Sequence, residues 1–287
     1  MTPRVTVIIP TYNWGTVLPF SIGSVLDQTF RDFELLVVGD GCTDDSAEVV
    51  AGIGDPRVRW IDAPRTGHQS GPNNEGLRQA RGALVAYLGH DDLWLPHHLA
   101  SAVHAIEQGA DVTNSIVLMV SPQGGTGVMV PLAPGERIPP SAVVHRRRMT
   151  ESLGGWRDYR ELSIDPETDL WRRAHAAGFR FAVVPRLGVV KFPAGHRRDV
   201  YRTRPCHEQA AWLARIRTEP DLEVEVLAKA AVAGGQPPVD GPIRGFIRRA
   251  VRPFNPRYWL YRWRTSGGRH IRAGQRFKGV SPAERTR

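Results

Sequence analysis

The chain begins its apolar pattern with a short β-branched run, Val5 to Ile9, stopped by Pro10, which predicts a buried strand running into a loop. Leu18, Ile22, Val25 and Leu26 then recur at helical spacing, so a helix with one apolar face follows; Thr16 is placed to cap it and Pro19 is tolerable in its first turn. Phe33 to Val38 predicts a second strand, after which Thr43 or Asp44 can cap a helix reaching about Ile53. Arg57 to Ile61 predicts a third strand, Asn73 to Arg81 a helix closed by Gly82, and Ala83 to Leu88 a fourth strand. Strands and helices in strict alternation predict an α/β fold, a parallel sheet flanked by helices on its faces.

Past a helix predicted from Leu95 to about Gln108 the pattern loosens. Apolar runs at Val112 to Val120 and Gly127 to Val130 predict the edge of a mixed sheet. Pro166 to Ala177 predicts a helix ended by Gly178, and Arg180 to Val184 and Leu187 to Phe192 predict two more short strands. Residues 234–242, Gly-Gly-Gln-Pro-Pro-Val-Asp-Gly-Pro, predict a linker. Residues 1–233 are therefore expected to form one unit and 243–287 an appendage, with no internal repeat.

Composition narrows the classes. The 287 residues are 41% hydrophobic, enough for a sizeable core. Two cysteines, Cys42 and Cys206, give neither a disulfide framework nor zinc-ligand spacing, and a cytoplasmic location is expected. The first apolar run is too short for a secretory signal, and no later run approaches the ~18 apolar residues of a membrane span. The expectation is thus a protein that is soluble or peripheral to a membrane.

The net charge of +9 is unevenly placed: residues 240–287 hold 13 Arg or Lys against Asp240 and Glu284, leaving 25 basic and 27 acidic groups before them. The basicity belongs to the tail and says little about the main unit's substrate. In the tail, arginines alternate with Phe246, Tyr258, Trp259, Tyr261 and Trp263, a mixture suited to an anionic membrane surface. An arm packed on the main unit fits the same composition equally. Nucleic acid ranks third, since no nucleic-acid module accompanies the tail.

Parallel sheets bind ligands beyond the carboxyl ends of their strands. Three chemically rich segments fall there: Pro10 to Asn13, Gly39 to Gly41, and Gly89 to Asp92. The adjacent carboxylates Asp91 and Asp92 are expected to face the crevice, where hard oxygens suit Mg²⁺ or Mn²⁺ shared with substrate phosphates. An acidic turn capping the next helix is the other reading of the pair.

The linked segments Val7 to Asn13, Leu26 to Val38, Asp40-Gly41, Asn74 to Leu77, Ala80 to Gly82 and Leu88 to Pro96 together resemble the inverting glycosyltransferases of family two, which have the GT-A fold. Gly154 to Trp156 and Glu167 to Trp171 extend the likeness to about residue 196. The resemblance implies a nucleotide-binding half over 1–100 and an acceptor half over 101–233. It implies donor binding by Pro10, Thr11, Tyr12, Asp40, Asn74 and Asp91, with the Tyr12 ring stacking on the base and Asp40 reading base or ribose. It implies a Mn²⁺ or Mg²⁺ ion on Asp92, with His196 reaching the metal or diphosphate and Arg197 and Arg198 beside it. Two departures stand out, Gly39 for the first of the usual pair of acids and His90 two residues before Asp92.

Transfer to a hydroxyl requires a base. By the family's Glu-Asp-x-Asp pattern Glu167 takes that position, with Asp169 contacting sugar or supporting Glu167. Acids in a helix's first turn also stabilise it through the dipole, whatever else they do. The partners implied are a nucleotide-diphosphate sugar donor and a glycan or lipid-linked acceptor. Competing classes are a nucleotidyltransferase, which would want a glycine-rich phosphate loop that Pro10 to Asn13 lacks, and a non-catalytic sugar-nucleotide or glycan binder, for which Gly39 and His90 speak.

Overall fold

Alternate residues of β1 (Val5–Thr11) enter opposite cores: Val5, Val7 and Ile9 face one side of the sheet and Ile8 the other. A strand buried on both faces belongs inside a parallel sheet. In the computed structural model, which describes residues 2–122, 124–130, 137–194, 197 and 199–232, β1 lies between β2 (Phe33–Asp40) and β4 (Leu84–Tyr87), both parallel to it. β3 (Val58–Ala63) adds parallel to β2. Leu18 and Ile22 of α1 (Leu18–Leu26), Val50 of α2 (Ser46–Ala51) and Leu99 and Val103 of α4 (His98–Glu107) fill one face. α3 (Ser70–Gln79) covers the other, so close that a Cβ on Gly76 would stand 2.7 Å from Ile8 Cγ2.

The second half continues the sheet in mixed sense. β8 (Val143–Arg146) runs antiparallel to β4, then come β6 (Val112–Val120), β9 (Phe181–Lys191) and the two-residue β5 (Leu93–Trp94). β7 (Thr126–Met129) is an edge strand on β6. α5 (Arg147–Leu153) and α6 (Pro166–Ala176) bring Met149, Leu170 and Trp171 to the α3 face. α7 (Val200–Thr203) is a single turn, while α8 (His207–Thr218) and α9 (Leu222–Val232) press Leu213, Ile216, Leu222 and Val226 onto β5, β6 and β9.

Three expectations change, and one choice left open is settled. β6 is an interior strand with neighbours on both sides, and only β7 is an edge. Arg180 to Phe192 is one strand whose register against β6 shifts near Pro185 and Arg186, where the apolar run is interrupted. Thr16 caps nothing; its hydroxyl reaches Arg204 O at 3.4 Å and α1 starts without a side-chain cap. Asp44, not Thr43, serves the entry to α2, accepting from Ser46 N at 3.2 Å and Ser46 Oγ at 2.6 Å. Among the described residues no helix is long and apolar enough to cross a membrane. The linker and tail at 234–287 lie outside the described residues.

Candidate functional site

Loops leaving β1, β2 and β4 meet at the carboxyl edge of the sheet. Asn13, at φ 46°, ties the first to the second: its Nδ2 donates to Thr43 Oγ1 at 3.0 Å and its Oδ1 accepts from Thr43 N at 2.6 Å. His90 ties the third to the first, its Nδ1 lying 3.2 Å from Pro10 O and its ring 5.2 Å from that of Trp14. The departure at His90 thus serves loop architecture.

Asp40 is 3% exposed and its carboxylate is filled by the loop after β3. Oδ1 accepts from Thr66 N and Thr66 Oγ1, each at 2.7 Å, and Oδ2 from Gly67 N at 2.9 Å and from the Arg65 guanidinium. Four donors meet the four acceptor positions of a carboxylate, so in this conformation the expected reading of base or ribose by Asp40 has no free lone pair. Arg65 in turn lies over Tyr12, 3.5 Å from the ring centre, and covers the face expected to be open for a base. Thr11, also expected to contact the donor, is buried in β1 beneath these loops. The glycine at 39 has a steric cause: a Cβ there would overlap the Trp60 ring, whose Nε1 donates to Asp62 at 2.8 Å.

Asp91 and Asp92 part company. Asp92 is fully buried at 0% exposure, against the expectation that it faces the crevice. It accepts from Ser141 Oγ at 2.5 Å, Lys191 Nζ at 2.7 Å and Phe192 N at 3.3 Å. Burial pushes its carboxyl above the ordinary range and the Lys191 ammonium pulls it back. Asp91 is the one that stays half-exposed, although both carboxylates lie beside Gly89, where a Cβ would stand 3.3 Å from Asp91 Oδ1 and 3.0 Å from Asp92 Oδ2. Among the described residues nothing donates to its carboxylate; only its main-chain oxygen is held, by Gln209 Nε2 at 3.1 Å.

Glu167 and Asp169 both sit in the first turn of α6, at 6% and 8% exposure. Glu167 Oε2 accepts from Gln69 Nε2 at 3.1 Å, which links α6 to the start of α3, and Arg137 Nε lies 3.7 Å from its Oε1. Asp169 points elsewhere, pairing with Arg173 Nε at 2.8 Å while Arg173 also donates to Leu153 O and Gly155 O. It braces the 153–157 loop. Asn74, expected at the donor, grips the same loop from α3: Nδ2 donates to Trp156 O at 2.7 Å and Oδ1 accepts from Trp156 N at 2.9 Å. Its amide is therefore occupied by backbone.

Arg197, considered for phosphate, is instead bidentate to Glu208 at 2.7 Å and also donates to Val120 O and Pro193 O at 3.1 Å. His196 and Arg198 lie outside the described residues. Lys191, Ser141, Gln69 and Gln209 were missed by sequence reasoning. Lys191 alone left a signal, a cation ending the apolar run Leu187 to Val190.

No group of three or more His, Cys, Asp or Glu side chains among the described residues could hold a metal ion. A GT-A cation needs fewer, because one or two carboxylates suffice when a diphosphate supplies the rest. Asp91, reachable and without a donor, fits that part; Asp92, sealed among three donors, does not.

Comparison with known proteins agrees with this architecture. The family model described as glycosyl transferase family 2 matches residues 6–159, just over half of the chain. A UDP-Glc:alpha-D-GlcNAc-diphosphoundecaprenol beta-1,3-glucosyltransferase of Escherichia coli, WfgD, is 34% identical over 95 residues, 33% of this chain and 38% of the relative. The chain spans about a third of the length of the curated relatives it matches. Among solved structures, S. aureus TarS with UDP-GlcNAc superposes with a TM-score of 0.56 at 20% identity, covering 66% of this chain and 58% of TarS. The mannosyltransferase PcManGT of Pyrobaculum calidifontis, with GDP-Man and Mn2+, gives 0.53 at 18% identity, covering 98% and 89%. These likenesses show the GT-A fold, and the family match shows that the chain belongs to glycosyl transferase family 2.

Proposed function

We propose that the chain transfers a sugar, with inversion, from a nucleotide-diphosphate donor to a hydroxyl of a glycan or lipid-linked acceptor. The observation that supports the reading is Glu167, a buried carboxylate in the first turn of α6 tied through Gln69 to the start of α3. The E. coli relative named for a diphosphoundecaprenol substrate supports a lipid-linked acceptor. The aromatic, arginine-rich tail suits a peripheral contact with anionic lipid.

Glu167 accepts the proton of the attacking hydroxyl, while Gln69 and Arg137 fix the direction of its carboxylate. Asp91 holds the divalent cation, Mn²⁺ or Mg²⁺, of the donor diphosphate. When bound, that ion supplies positive charge to the leaving group. Tyr12 and Arg65 present a stacked aromatic and guanidinium pair for the base, an arrangement in which Arg65 makes the outer layer.

Glu167→Gln tests the base. Turnover with a competent donor and acceptor is expected to fall roughly 10²–10⁴-fold, while nucleotide binding followed by thermal shift with Mn²⁺ stays unchanged. Normal turnover in that variant sinks the assignment.

A further inference from the structure

Gln209 stands in the first turn of α8, beyond the residues matched by the family model. Its side chain is 3% exposed. Because Nε2 donates to the Asp91 main-chain oxygen, the amide's orientation is fixed and the other branch is the acceptor Oε1. No described residue donates to that oxygen. A buried acceptor without a partner is costly, and folded interiors hold few of them.

The second observation lies on the residue that Gln209 grips. The Asp91 carboxylate also receives no donor among the described residues. The ammonium beside it, on Lys191, is bound to Asp92 at 2.7 Å. Two donor-less oxygens, one carboxylate and one amide, on residues joined by the Gln209 Nε2 bond to the Asp91 main chain make an environment for a hard cation. Amide carbonyls and carboxylates are the ligand types such ions take.

Resting on the assignment of Asp91 to the cation, we infer that Gln209 is a second protein residue of the same site, its Oε1 serving the ion directly or through one coordinated water. The amide thereby does two jobs: Nε2 positions the Asp91 loop and Oε1 faces the charge that loop holds. α8 becomes part of the donor site, and the cation is bound between the motif after β4 and a helix that the family pattern does not reach.

The test is Mn²⁺ binding to the full-length chain, read from the paramagnetic resonance signal of free Mn²⁺, with UDP, GDP or dTDP present in turn. Gln209→Leu is expected to weaken Mn²⁺ about tenfold. Gln209→Glu, which keeps an oxygen for the ion but loses the Nε2 bond to the Asp91 main chain, is expected to bind Mn²⁺ at least about fivefold more tightly than Gln209→Leu. If both variants match wild type within twofold, or both weaken it equally, Gln209 merely packs α8 against the loop and the inference is overturned. A wild-type chain that takes up no Mn²⁺ with any of the three nucleotides overturns it too, and with it the cation role of Asp91. That failure is distinguishable because it appears before any change at Gln209.

Discussion

In the half built from β1 to β4, the crevice loops leave parallel strands and their acids are largely enclosed: Asp40 is met by four donors and Asp92 by three. In the half beyond residue 100, Glu167 sits buried in the first turn of α6, bonded to Gln69 and with Arg137 Nε 3.7 Å from its Oε1. Most charged side chains that look chemical in the first half therefore maintain the loops, and Asp91 is the acid there whose carboxylate no described residue meets with a donor. Asp91 and Asp92 show the contrast between neighbours, one half-exposed and without a donor, the other sealed at 0% exposure.

The largest expected effect tests that pair directly. Asp92→Ala leaves the Lys191 ammonium, 27% exposed, without its partner, and losing one member of a buried pair costs about 3–5 kcal/mol. Asp91→Ala should change stability by no more than about 0.5 kcal/mol while abolishing cation-assisted nucleotide binding. Urea unfolding of the two variants measures the difference. Equal stability in both erases the distinction, and recovery in Asp92→Ala with Lys191→Met confirms that the unpaired charge is the cause.

A second effect comes from buried histidines, one in each half. Burial pushes His98 down to about 3 and His145 down to about 4, whereas both titrate near 6.5 when unfolded. With folded values below unfolded ones, their contribution is complete above pH 6.5 and is lost as pH falls below it. Each should cost about 1.6 kcal/mol between pH 6.5 and 5, or about 3 together. The urea midpoint at pH 7.5, 6 and 5 reads this, and His145→Phe should remove about half the slope.

The same contrast governs what could be read from sequence. The first four strands and three helices were legible because β-branched runs and helical spacing alternate cleanly there, with boundaries moving by a few residues. β6 reads as an edge from sequence because Gly124 and Gly125 follow it, although its burial pattern is that of an interior strand. At the candidate site, motif spacing singles out Asp91, Asp92 and Glu167 but does not say which carboxylate is open. That is decided by Lys191 and Ser141, 99 and 49 residues downstream of Asp92, and no local pattern encodes such a contact.

The smallest expected effect concerns Asn74, where the halves are joined. Its amide satisfies both the N–H and the carbonyl of Trp156, whose preceding residue, Gly155 at φ 73°, approaches so closely that a Cβ there would stand 2.6 Å from Asn74 Oδ1. Asn74→Ala leaves a buried backbone pair without partners, at a cost of about 1–2 kcal/mol. Arg173 still holds Leu153 O and Gly155 O, so the loop should loosen without unfolding. The expected signature is a modest drop in the urea midpoint and a higher KM for acceptor, with nucleotide binding unchanged. If nucleotide binding falls while stability holds, Asn74 touches the donor after all, and the division between a loop-bracing amide and an open donor carboxylate at Asp91 has been drawn in the wrong place.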